Sequence, residues 1–114
     1  MKVISNNPVV LEQIEHNHRV KGDPVSVLRE VRRYLESGYS LVSMPLPANQ
    51  RLLMSPYRSI VVERSAVDKD MMGLVLLEKA IERYGSRTFC EDPKADKDFA
   101  LIDLEQVLVT FQSV

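Results

Sequence analysis

Two short runs hold the residues whose types and spacing could do recognition chemistry. Asn6 and Asn7 stand directly before Pro8, and Tyr57, Arg58 and Ser59 close a proline-bounded stretch that begins at Met44-Pro45-Leu46-Pro47. Asparagine before proline is the pattern of a helix N-cap followed by the first helical residue, and the free N–H groups of such an end attract anions. Arginine adds a fixed positive charge and a planar donor fork suited to carboxylate or phosphate. If the two runs meet, Asn6, Asn7, Ser43, Pro45, Tyr57, Arg58 and Ser59 form a candidate ligand-binding set for a small anion.

The remaining reactive side chains lack partners of the right kind. His16-Asn17-His18 offers two imidazoles on one face of an extended strand, with no third metal ligand in sight. Cys90 is followed by Glu91 and Asp92, an anionic neighbourhood opposed to a thiolate nucleophile. Gly22, Gly38, Gly73 and Gly85 are dispersed, so neither a dinucleotide fingerprint nor a phosphate-cradling Walker loop is present. The expectation is therefore no catalytic residue, no metal and no cofactor, and a non-catalytic accessory or binding protein more than an enzyme, the alternative being a small-anion or carboxylate binder or weak enzyme with its pocket at the strand C-terminal ends.

The elements that must position these residues follow from periodicity and capping. Lys2–Ser5 reads as a first strand, with a helix opening at Asn7-Pro8 and carrying Val10, Leu11 and Ile14 at helical spacing. Arg19-Val20 marks a second, short strand. Asp23-Pro24 repeats the cap, and Val27, Leu28, Val31 and Leu35 make a helix stripe that ends before Gly38. Tyr39–Ser43 and Ser59–Glu63 read as two central strands. Ser65-Ala66-Val67-Asp68 resembles a capping signature for a helix bearing Met71, Met72, Val75, Leu76, Ala80 and Ile81, with Gly73 allowing close approach to the sheet. Arg87–Lys97 reads as polar loop. A closing helix then starts at an Asp96 or Asp98 cap and places Leu101, Leu104, Leu108 and Phe111 on one stripe.

Strand–helix alternation of this kind predicts one α/β domain over 1–114, with a mostly parallel four-stranded sheet and helices on both faces, a reduced Rossmann-like or flavodoxin-like layout. With strand order 2-1-3-4, Asn6, Asn7, Ser43 and Met44 would flank the point where the order reverses. The stretch from Met44 to Ser59 is too long and too apolar for an ordinary connector. Its Met44, Leu46, Leu52, Leu53 and Met54 are the candidate interface residues, and a homodimer through this loop is expected.

Bulk properties narrow the classes further. The chain has 114 residues, 45% hydrophobic and 27% charged, with a formal net charge of −1, which removes the electrostatic case for nucleic-acid binding. The apolar runs are short, as at Gly73–Leu77, which Glu78 and Lys79 follow at once, far below the roughly 18 residues of a membrane span. The polar, proline-interrupted N-terminus is unlike a secretory signal, and Cys90 is the single cysteine; a cytoplasmic location is expected.

Val3-Ile4-Ser5-Asn6-Asn7-Pro8, Tyr39-Ser40-Leu41-Val42-Ser43-Met44-Pro45-Leu46 and Ser55-Pro56-Tyr57-Arg58-Ser59-Ile60 occur in the order and spacing of the GrdX family, which the chain resembles over nearly its whole length. That resemblance implies a small accessory protein associated with the glycine, sarcosine and betaine reductase systems of amino-acid-fermenting anaerobes. It implies a reductase-complex protein as partner and names no reaction.

Overall fold

The computed structural model describes residues 1–47, 49–65 and 69–113. In chain order the elements are β1 (Lys2–Ser5), α1 (Pro8–Gln13), β2 (Asn17–Arg19), α2 (Pro24–Glu36), β3 (Tyr39–Leu41), a 3-10 turn (Gln50–Met54), β4 (Ser59–Arg64), α3 (Met71–Tyr84) and α4 (Pro93–Gln112).

The sheet order is β2-β1-β4-β3. Only β1 and β2 run parallel, whereas β4 is antiparallel to both β1 and β3. This corrects the mostly parallel, Rossmann-like expectation. A parallel pair needs a crossover of a dozen or more residues, usually helical. Among its described residues the segment between β3 and β4 holds no such helix, only the 3-10 turn, and it folds back as a long antiparallel connection. The consequences are that β3 is an edge strand rather than a central one, and that β4 separates it from β1. No reversal point joins Asn6 and Asn7 to Ser43 and Met44; the neighbour of Asn6 is the start of β4.

Strand alternation sorts the side chains onto two faces. Ile4, Ile60 and Val62 point to α2 and α3, where Val27, Leu28, Val31, Leu35, Leu77, Ala80 and Tyr84 complete the larger core. Val3 and Val61 point the other way, to Val10 of α1 and Leu104 and Val107 of α4.

Three helices begin at an Asn-Pro or Asp-Pro pair. The Asn7, Asp23 and Asp92 side chains accept from Val9 N, Ser26 N and Lys94 N respectively, and the following proline sits where its missing N–H costs nothing. The closing helix therefore starts at Asp92-Pro93, earlier than the Asp96 or Asp98 cap expected. Its inward face is Ala100, Asp103, Leu104 and Val107, while Leu101 and Leu108 face outward, so the expected stripe is rotated.

For α3, the expected cap at Ser65–Asp68 includes Ala66, Val67 and Asp68, which lie outside the described residues; Asp70 performs the capping. Its Oδ1 accepts from Gly73 N at 2.9 Å and its Oδ2 accepts from Leu41 N at 3.0 Å, tying the helix start to the edge strand. Gly73 is needed against α2 rather than against the sheet. A β-carbon there would collide with the Asp70 carboxylate and come within 2.9 Å of Leu35. Gly73→Ala should accordingly destabilise the fold by about 1–3 kcal/mol despite alanine's better helix propensity. Urea denaturation checks this, and an unchanged or raised midpoint would refute the close-packing account.

Candidate functional site

The end of β1 and the end of the long loop converge on one buried polar knot. Ser5 and Ser59 are directly opposed in the β1–β4 register, on the face covered by α4. Their hydroxyl oxygens are 2.6 Å apart, and Ser59 Oγ donates to Asp103 Oδ2 at 2.6 Å. Because the single Ser59 proton is spent on the carboxylate, Ser5 is the donor to Ser59, while its own oxygen accepts from Asn7 N at 2.9 Å. The Asn7 amide divides its two hydrogens between Ala100 O at 2.9 Å and Asp103 Oδ2 at 3.0 Å, and its Oδ1 caps α1. Ser5, Asn7, Ser59 and Asp103 are all buried. A carboxylate removed from water is costly unless its lone pairs find donors, and here Ser59 and Asn7 both donate to Asp103 Oδ2.

Asn6 joins the same two segments at their solvent side. Its Oδ1 accepts from Arg58 N at 2.8 Å, and its Nδ2 donates to Pro56 O at 2.8 Å and to Gly22 O at 2.9 Å. The opening asparagine turn and the central loop thus meet at one rim of the sheet.

Arg58 is only 6% exposed. Its Nε donates to Pro45 O at 3.1 Å, Nη2 to Met44 O at 2.8 Å and Nη1 to Gln106 Oε1 at 3.3 Å. Burial lowers its pKa, and the Tyr84 and Asp103 side chains act in the opposite direction. The guanidinium fork expected to meet an anion is occupied by main-chain carbonyls of the loop and by α4. Tyr57 is likewise engaged, donating to both Asp96 carboxylate oxygens at 3.0 and 2.9 Å. Ser43 Oγ accepts from Val61 N at 2.8 Å, and Pro45 is buried.

Two concavities flank this knot. One is a groove of about 560 Å³ between the loop and α4, floored by Val42 and Val61, with Met44, Leu46 and Pro47 on one side and Ile102, Gln106 and Val109 on the other; Arg58 and Ser59 form part of its wall. The other, of about 660 Å³, is an open depression among Gly22, Asp23, Pro56 and Thr88–Glu91. Between them the candidate interface residues separate. Met44 and Met54 are exposed, Leu46 and Leu52 are half-buried, and Leu53 is buried in the larger core. Cys90 N donates to Met54 O at 2.8 Å, fastening the loop to the segment before α4.

His18 Nδ1 lies 3.0 Å from the Tyr34 hydroxyl, and among the described residues no group of three His, Cys, Asp or Glu side chains is placed to hold a metal ion. The residue that sequence reasoning missed is Asp103. Its spacing from Ala100, Leu104 and Val107 puts it on the inward face of its helix, a position where a carboxylate requires dedicated donors.

One buried polar atom stands apart. Among the described residues the Tyr84 hydroxyl has no hydrogen-bond partner, and the residue is 1% exposed. Burial raises the Tyr84 pKa, with Arg58 acting against it, and burial also raises that of Tyr57, reinforced by the bond to Asp96. Both tyrosines thus keep their protons in the folded chain at pH values where the unfolded chain, near the ordinary 10.0, gives them up. Their contribution to stability is full below about pH 10 and is lost as pH rises through the folded values. Tyr84→Phe should raise stability at neutral pH by about 1 kcal/mol and flatten the alkaline decline, as measured by thermal melts between neutral and strongly alkaline pH. A loss of stability at neutral pH would show that the hydroxyl is satisfied in solution.

Comparison with known proteins returns no matching curated protein and no matching solved structure. A family model does match, spanning residues 2–112 and described as GrdX-like protein. That span takes in the Asn6-Asn7 turn, the central loop and α4, so that every residue of the polar knot falls inside it. The chain belongs to the GrdX-like protein family.

Proposed function

We infer that this protein is a non-catalytic accessory component of an amino-acid reductase system, and that it acts by contact with another protein through the rim where the 49–57 part of the loop meets residues 22–23 and 88–91. The reductase context comes from the family. The observation that carries the non-catalytic part is the occupancy of Arg58: its donors end on Met44 O, Pro45 O and Gln106, so the best anion-binding group in the chain serves to shape the loop. Asn6, Asn7, Ser59 and Asp103 are spent in the same way. The loop is thereby held with Met54 turned outward next to an open depression rather than with reactive groups turned inward. A rigid surface with exposed apolar anchors is what protein recognition requires. No helix among the described residues is long and apolar enough to cross a membrane.

A second reading is a small-anion binder that uses the groove beside α4. Its volume of about 560 Å³ lies within the roughly 300–1,000 Å³ range of ligand sites, and Arg58 and Ser59 reach its wall. The two readings separate in one pair of experiments. Tagged protein expressed in an amino-acid-fermenting host should co-purify reductase subunits, and Met54→Asp should weaken that capture. Thermal melts with glycine, sarcosine, betaine and acetyl phosphate should be flat, whereas a true ligand at ~100 times its Kd would add about 2.7 kcal/mol. A melting shift with one of these compounds, together with no reductase capture, would reverse the order of the two readings.

A further inference from the structure

We propose that the groove between the central loop and α4 binds a monocarboxylate with an apolar body, the charge of which is met by Arg58. The proposal rests on the second reading above, that the groove takes an anion, and names the class of that anion. It leaves the Met54 rim free, so a ligand here and a protein partner there are compatible.

The first observation is an unbalanced charge. A buried cation is costly unless a counter-charge meets it. Arg58 is 6% exposed, yet among the described residues it forms no ion pair with any carboxylate. Asp103 acts on it through space, while the Asp103 Oδ2 is taken by Ser59 and Asn7. The acceptors on the guanidinium, Met44 O, Pro45 O and Gln106 Oε1, are all neutral, and Nη1 and Nη2 each carry a second hydrogen that these bonds do not use. The clamp on the loop is thus complete, and the charge that makes it is not neutralised.

The second observation is where that charge lies. Gln106 holds Nη1 and Met44 holds Nη2, and both residues line the groove, as does Arg58 itself. Much of the remaining wall is apolar: Val42, Leu46 and Pro47 are half-buried, and Ile102 and Val109 are exposed. The wall hydroxyls are already engaged. Ser43 accepts from Val61 N, and Thr110 and Ser113 donate to main-chain carbonyls of α4. Glu105, an exposed carboxylate at the same groove, opposes a second negative charge on the ligand. A volume of about 560 Å³ is far more than a carboxylate group alone fills. Glycine, sarcosine and betaine would each bring a cationic nitrogen towards Arg58 and offer the apolar wall almost nothing, and acetyl phosphate carries extra charge on a small body. The flat melts expected with those compounds follow from the same chemistry.

A nuclear magnetic resonance titration of the isotope-labelled intact chain tests this, with octanoate as the probe and acetate, octan-1-ol and octylammonium as its comparisons. Octanoate should shift the amides of Val42, Met44, Gln106 and Val109 saturably and bind roughly a hundredfold tighter than acetate, because its methylenes are buried. Octan-1-ol should bind roughly tenfold weaker than octanoate for want of the charge, and octylammonium should leave these amides unmoved. Ile102→Asp, at an exposed wall position, should weaken octanoate roughly tenfold with an unchanged circular dichroism spectrum. Should that variant fail to fold, the series of probes on the wild type decides the matter alone. Octan-1-ol binding as tightly as octanoate, or octanoate shifts confined to the depression at residues 22–23 and 88–91, would overturn the proposal. Acetate binding as tightly as octanoate would overturn the ligand class and leave an anion-binding groove, whereas no saturable shift with either acid would remove the second reading as well.

Discussion

A buried arginine must place its N–H groups on oxygens, and in this protein that requirement determines the shape of the loop. Arg58 immediately precedes β4 with its side chain turned under the loop, so the carbonyls of Met44 and Pro45 are drawn inward onto the guanidinium, and Gln106 of α4 supplies a further acceptor. Its backbone N–H is taken by Asn6. One residue thus links the loop, the first turn and the last helix. Beside it, Asp103 draws Ser59 and Asn7 together, and Ser5 donates to Ser59. The two charged groups lie near one another, and each is satisfied mainly by neutral dipoles. Such a network rigidifies strongly when complete and is costly when any member is left unpaired.

This arrangement explains why the connection between β3 and β4 can be long without unravelling. Proline at 45, 47 and 56 reduces the conformational entropy that ordering costs, Leu53 anchors the 3-10 turn in the main core, and Asn49 caps that turn through Arg51 N. It also explains the groove. Because α4 is tied to the β4 end of the sheet through Asp103 and Gln106, it lies over β4 and against α1. The surface at Val42 and Ser43, beyond the edge strand, is left only partly covered.

The elements were largely readable from the sequence, and their directions were not. Asn7-Pro8 and Asp23-Pro24 marked two helix starts correctly because the cap and the proline act locally. Asp92-Pro93 carried the same signal and was passed over in favour of later aspartates. Strand direction is a different kind of information. Ser59–Arg64 has the same β-branched composition whether it runs with β1 or against it, and the choice is made by the connection, which either crosses the sheet or turns back. The convergence of Asn6 with Arg58 was legible as a juxtaposition of two unusual turns. The inward aim of Arg58 was not, since an arginine at a strand start is ordinarily solvated, and only the facing carbonyls and α4 make burial affordable. Leu53 shows the same limit. In a run of Leu52-Leu53-Met54, composition cannot say which residue a 3-10 turn rotates into the core.

The account rests on Arg58 being a structural clamp. Amide hydrogen exchange on Arg58→Lys tests that directly, because lysine keeps the charge but lacks the fork that reaches both carbonyls and Gln106. Exchange across residues 44–58, including the amides of Arg51, Leu52 and Tyr57, should accelerate at least tenfold, as follows from losing about 1.4 kcal/mol of local stability, while Val3 and Val61 in the sheet keep their wild-type protection. Unchanged loop protection in the lysine variant would contradict the clamp and free Arg58 for a ligand.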